Sequence, residues 1–161
     1  VKNLKLNDLF DYCDGELYWK AKPSKYARVK IGDKAGSVHS TGYRILQLNG
    51  VKQKLHRVIF LMHHGYLPAH IDHIDGNSLN NKVENLRPTT RSQNLCNTKL
   101  FVNSKSGIKG VSWHNASKKW YVQVRLQGKT VYQKLFDNLE LAELVAVEAR
   151  HKYHGEFARH K

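Results

Sequence analysis

The run Asp72-His73-Ile74-Asp75-Gly76-Asn77, followed by Asn85 and Asn94, holds the residue types that metal-assisted hydrolysis of a phosphodiester requires. That reaction needs a base to activate water and a cation to neutralise charge on the non-bridging and leaving oxygens. Imidazole suits the first task because its ordinary pKa lies near working pH, which makes His73 the candidate base. A hard cation such as Mg²⁺ prefers oxygen ligands and retains several waters, so one carboxylate and one amide carbonyl are enough protein donors. Asp72 and Asn94 can supply them. Neighbours on an extended strand point to opposite sides, so Asp72 and His73 share a site only if the chain twists or bends there. The Asp75-Gly76-Asn77 turn signal two residues on allows it.

Short elements must position these groups. Val58, Ile59 and Met62 predict a helix over His56–His64, closed by Gly65. His56 is either a supporting residue of the site or, the favoured reading without ligand spacing, a packing residue. Pro68 precedes a strand holding Ile71 and His73. A loop through Asn80-Asn81, a second strand near Leu86-Arg87, and a helix from Thr90 follow. Thr90 and Gln93 form a capping box, which places Asn94 on the first turns of that helix. Arg87 and Arg91 lie beside it, suited to scissile or flanking phosphates.

The stretch from Leu55 to Asn97 resembles the HNH nucleases of the His-Me finger (ββα-metal) superfamily, in particular the phage-type group that includes homing endonucleases. It carries the D-H-I-D-G-N start, the N-N pair, the E-N-L-R segment and a helix with Q-N. The resemblance implies that His73 is the general base, that Asp72 and Asn94 hold one divalent ion, and that Asn85 braces the loop between the strands. It also implies 5′-phosphate and 3′-hydroxyl products, with the ion stabilising the departing 3′ oxygen. Asn94 stands where other branches carry a third histidine, which favours Mg²⁺ or Mn²⁺ over zinc.

Charge points to the same class of partner. The 27 Lys and Arg residues against 13 acids give a formal charge of +14 and a pI near 9.9. Such an excess implies a polyanion bound through phosphate neutralisation, and exceeds what solubility needs. Residues 1 to 55 and 101 to 161 each hold 11 basic and 5 acidic residues, while 56 to 100 hold 5 and 3. The flanks are therefore expected to grip double-stranded DNA and the middle to cut it. Two cysteines, Cys13 and Cys96, lack C-x-x-C spacing and exclude a disulfide framework or a cysteine zinc site. The absence of a membrane-length apolar run or an apolar signal core leads us to expect a cytoplasmic protein without membrane attachment. His63, His64, His151, His154 and His160 read as surface or packing residues.

The N-terminal stretch reads as β-rich. Leu4, Leu6, Leu9 and Phe10 suit a short helix, Gly15–Trp19 a strand after a turn, and Tyr43–Leu48 with Val51–Leu55 a hairpin around Asn49-Gly50. Between them Lys20, Lys22, Lys25, Arg28, Lys30 and Lys34, interleaved with Tyr26, form a basic loop for backbone contact. Arg44 or Lys52 either faces DNA or lies on an ordinary exposed strand. Asn97 to Lys105 reads as a linker.

After the linker, three strand-like runs separated by Asn115-Ala116-Ser117 and Gln127-Gly128 precede a helix from about Leu139 to Tyr153, with Leu141, Leu144, Val145 and Glu148 to Ala149 at helical spacing. This segment resembles the AP2 DNA-binding domain through Gly110-Val111, Lys119-Trp120, Val131-Tyr132, Phe136 and the alanine-rich helix. The resemblance implies a three-stranded sheet laid in the major groove. Alternation turns Trp120, Val122, Val124 and Leu126 toward the helix and Tyr121, Gln123 and Arg125 outward. Arg125 is the foremost candidate for a base contact, with Lys109, Ser112, His114, Thr130, Tyr132 and Lys134 expected on the same surface. Several of these positions usually hold arginine in that family, so its familiar target is not assumed.

The expected architecture is α+β: a β-rich N-terminal module (1–55), a central ββα-metal nuclease (56–100) and an AP2-like sheet-plus-helix module (101–161). The expected activity is Mg²⁺- or Mn²⁺-dependent DNA cleavage in homing or phage mobility. A monomer should nick, and a homodimer could break both strands. The rival readings are a non-cleaving sequence-specific regulator and an RNA-binding protein, the latter lacking stacking motifs.

Overall fold

The computed structural model describes residues 6–25, 27–48, 50–98, 100 and 103–159. Leu4, Tyr26, Asn49, His160 and, within the expected linker, Lys99, Phe101 and Val102 lie outside the described residues. The chain divides into two compact units, Val1–Thr89 and Thr90–Lys161.

In the first unit, helix α1 (Leu6–Leu9) runs straight into strand β1 (Phe10–Cys13), which pairs antiparallel with β2 (Glu16–Trp19). The two-residue turn joining them has positive φ at both Asp14 and Gly15, the geometry that matches strand twist. A second sheet orders β3 (Ser37–Val38), β4 (Arg44–Leu48) and β5 (Val51–Lys54). Helix α2 (Leu55–His64) follows directly and ends at Gly65, whose left-handed φ of 74° lets its N–H reach Leu61 O. Strands β6 (His70–His73) and β7 (Leu86–Thr89) form a separate antiparallel pair.

One apolar cluster joins most of these elements, with β3 and β5 contributing no residue to it. Phe10, Leu17 and Trp19 from the first hairpin pack with Leu46, Leu55, Val58, Ile59, Phe60 and Leu86. Leu17, Leu55 and Ile59 are fully buried, each stabilising the fold by roughly 1.5–3 kcal/mol relative to exposure. The boundary expected at residue 55 thus runs through a shared core. Neither hairpin buries enough surface alone, and α2 closes over both.

In the second unit, α3 (Arg91–Cys96) begins on the predicted capping box: Thr90 Oγ1 accepts from Gln93 N, and Thr90 N donates to Gln93 Oε1 at 2.8 Å. Strands β8 (Val111–His114), β9 (Lys119–Leu126) and β10 (Lys129–Phe136) form an antiparallel sheet in the order β10-β9-β8. Helix α4 (Leu139–His154), capped by the Asn138 side chain on Leu141 N, packs on one face of it. The core there is Val111, Val122, Phe136, Ala142 and Ala146.

The stripe that α4 buries differs in part from the expected one. Ala149 is buried and Val145 packs against the core, but Leu141 and Leu144 are 50% and 68% exposed, and Ala142 and Ala146 face inward instead. Small residues let the helix backbone approach the sheet closely, and the periodicity of the larger leucines concealed that face. Among the described residues no helix is long and apolar enough to cross a membrane.

Candidate active site

The register of β6 on β7 sets Asp72 opposite Arg87 and His73 opposite Leu86. Arg87 Nε and one terminal nitrogen donate to Asp72 Oδ2 at 3.0 and 2.9 Å. Both side chains are largely buried, at 6% exposure for Asp72 and 12% for Arg87. The arginine expected on a phosphate is thus engaged in orienting the carboxylate, because the cross-strand register leaves them face to face.

His73 ends the strand, and the chain turns at once: Gly76 N donates to His73 O at 2.8 Å. This is the bend that the Asp75-Gly76-Asn77 signal predicted. The imidazole is buried, at 6% exposure, with Tyr43, His56 and Asn81 as its neighbours. Its centroid is 4.9 Å from the His56 ring, edge to face, and 6.3 Å from Tyr43. Its Nε2 is 3.1 Å from Asn81 Oδ1.

The loop beyond is held by Asn85. Its Oδ1 accepts from Asp75 N at 3.0 Å, and its Nδ2 donates to Asp75 Oδ1 at 3.0 Å and to Asn80 O at 2.7 Å. Burial raises the Asp75 pKa, but hydrogen bonds from Asn77 N, Asn80 and Asn85, with the charge of His73, outweigh it and hold the carboxyl below its ordinary value. His56 is pushed down to about 3, first by burial and then by His73, Lys54 and Arg57. It therefore stands beside His73 as a neutral ring.

Asn94 sits in α3 of the second unit, exposed, with its N–H on Thr90 O at 3.0 Å. Arg91 opens the same helix and is exposed. Among the described residues no group of three or more His, Cys, Asp and Glu side chains gathers in a metal-ligating cluster. Asn81 and Tyr43 were not singled out in the sequence. For Asn81 the signal was its place in the Asn80-Asn81 pair, whereas nothing local marked Tyr43.

The outer face of the second unit's sheet departs in part from expectation. Val122 and Val124 are buried under α4, and Ser112, His114, Tyr121, Gln123 and Arg125 occupy the opposite side, as alternation requires. A bulge between Thr130 and Tyr132 then shifts β10 by one residue. Thr130 and Gln133 join the outer face, where Gln123 Nε2 reaches Thr130 Oγ1 at 3.3 Å and Tyr121 Oη donates to Gln133 Oε1 at 2.7 Å. Tyr132 packs against the core on the helix side, and Lys134, opposite Val122, lies over the Phe136 ring. Both were expected outside; the extra residue reverses their sides.

Arg125 is exposed, with one terminal nitrogen on Gly128 O at 2.9 Å, and His114 Nδ1 is 2.6 Å from Ser117 Oγ. Lys109 also leaves the expected surface. Its Nζ donates to Cys96 O and Thr98 O behind the C-terminal turn of α3, and Arg150 holds its carbonyl at 2.7 Å. Burial lowers its pKa to about 8, with Arg150 and Arg159 adding and Cys96 opposing.

Residues 53–96 match the HNH endonuclease family. Protein 3.8 of Escherichia phage T7 is 40% identical over 92 residues, which cover 56% of this chain and 74% of that protein. An uncharacterized HNH endonuclease, L560, of Acanthamoeba polyphaga mimivirus is 42% identical over 67 residues, covering 40% of this chain and 35% of that protein. No solved structure matches the chain significantly.

Proposed function

The chain carries an HNH endonuclease domain and belongs to the family of phage Protein 3.8, and from that premise we propose that it is a metal-dependent DNA endonuclease of the homing type with His73 as its general base. The observation that carries this reading is the juxtaposition, at the end of one strand, of an arginine-oriented carboxylate and an imidazole hydrogen-bonded by an amide. His73 takes a proton from the attacking water. Arg87 holds the Asp72 carboxylate in a fixed direction, as supporting hydrogen bonds do for metal-ligating carboxylates.

The donor chemistry at the end of the strand suits a hard cation: Asp72 offers a carboxylate oxygen of the kind that Mg²⁺ or Mn²⁺ prefers. When bound, such an ion supplies charge neutralisation on the scissile phosphate and the departing 3′ oxygen. Asn85 keeps the loop after His73 folded through its three side-chain bonds. Arg91 and the exposed Lys22, Arg28 and Lys30 contact the DNA backbone. The outer sheet face, with Gln123, Arg125, Thr130 and Gln133, takes the AP2-like role in the major groove, in a monomer that nicks or a homodimer that cuts both strands.

Supercoiled plasmid tests this reading. Wild-type protein is expected to relax it with Mg²⁺ or Mn²⁺ and to stop when EDTA is added. Protein that binds the plasmid but never nicks it, under any divalent ion, would instead be a non-cleaving regulator.

A further inference from the structure

Asn81 is only 2% exposed. Its Oδ1 faces His73 Nε2 at 3.1 Å, and its Nδ2 donates to Leu79 O at 3.3 Å. An amide whose nitrogen is committed elsewhere offers the ring only an acceptor. Facing that acceptor, a neutral imidazole would carry its hydrogen on Nε2 and present Nδ1 as the basic nitrogen.

The backbone that presents Asn81 is gripped from far away in the sequence. A Cβ at Gly15 would stand 2.8 Å from Lys82 N and 3.1 Å from Asn81 C, so the β1–β2 turn lies directly on that peptide. Lys82 Nζ pairs with Asp14 Oδ1 at 2.6 Å. Val83 N donates to Tyr12 Oη at 3.2 Å. Tyr12, Asp14 and Gly15 thus hold three consecutive residues, 81 to 83, from one hairpin.

We propose that Asn81 is a positioning residue for His73, fixing the tautomer and direction of its ring, and that the β1–β2 hairpin holds Asn81 in register to do so. The proposal rests on the reading of His73 as the proton acceptor. It gives residues 10–19 a part in positioning the base, beside the DNA contacts proposed for Lys22, Arg28 and Lys30 of the same N-terminal segment.

The test uses full-length protein labelled with ¹⁵N-histidine, free of metal, at about pH 8, with the His73 signals assigned by their loss in His73→Ala. Wild type should show hydrogen on Nε2. Asn81→Leu, which keeps the branched shape and removes the acceptor, should show a mixture of tautomers. Its kcat for plasmid nicking should fall about thirty-fold, within the range that general-base catalysis supplies, with the Kd for DNA within about two-fold of wild type. Asn81→Asp should restore the Nε2–H signature. Gly15→Ala, which crowds the Asn81–Lys82 peptide, should shift the ring in the same direction as Asn81→Leu and decides the matter if that variant does not fold.

An unchanged tautomer in Asn81→Leu, or a loss confined to DNA affinity, overturns the proposal. Should wild type fail to nick, the His73 reading falls, while the ring signals still decide what Asn81 does.

Discussion

Lowering the pH should weaken the first unit through His56. In the folded protein this ring does not protonate until about pH 3; in the unfolded chain it protonates near its ordinary 6.5. Below pH 6.5 the unfolded state therefore binds a proton that the folded state refuses, and stability falls as pH drops. The contribution is fully present above 6.5 and is lost progressively down to about 3. At about 1.36 kcal/mol per pH unit, acidification to about pH 4.5 should cost roughly 2.7 kcal/mol from this residue. The cause is geometric: His56 is 5% exposed, lies edge to face with His73, and has Lys54 and Arg57 as charged neighbours. Urea unfolding at about pH 7 and about pH 4.5 measures the difference, and His56→Phe, which keeps a ring in place, removes the titration. Wild type should lose roughly 2.7 kcal/mol more than the variant over that interval. Equal losses in the two proteins would refute the reasoning.

Removing the guanidinium in Arg87→Met takes a bidentate partner from a carboxylate that is 6% exposed, and should destabilise the protein by roughly 3–5 kcal/mol in urea unfolding. A loss below about 1 kcal/mol would show that the pair does not hold the strands. On the outer sheet face, Gln133→Ala should weaken binding to the preferred DNA site about ten-fold, in the range of one lost base contact, with non-specific affinity kept. Lys134→Ala, on the opposite face, should leave site preference intact. Gel shifts on specific and random duplexes check both, and equal effects would argue against the bulge-shifted face.

Much of the local structure was legible because local chemistry dictates it. The Thr90 capping box, the Gly65 helix stop, the Gln127-Gly128 turn and the alternation along β9 all stand where the residues indicate. What escaped depends on distant partners. A bulge is invisible to period-two reasoning, so Tyr132 and Lys134 were placed on the wrong face. The alanine stripe of α4 was masked by more hydrophobic leucines that remain exposed. The shared core of the first unit joins Phe10 and Leu17 to Ile59 and Leu86, a connection no short window contains. In the site, the types and order of Asp72, His73 and Asn85 were readable. That Arg87 would turn to Asp72, and that Asn81 would face His73, followed only from strand register and loop packing.

Single-turnover nicking of supercoiled plasmid by wild type and His73→Ala, in Mg²⁺ and at matched DNA occupancy, tests the central claim most directly. The account predicts a fall of about 100-fold or more in the rate for the variant, with the Kd for DNA within about two-fold. A variant that nicks as fast as wild type would contradict it.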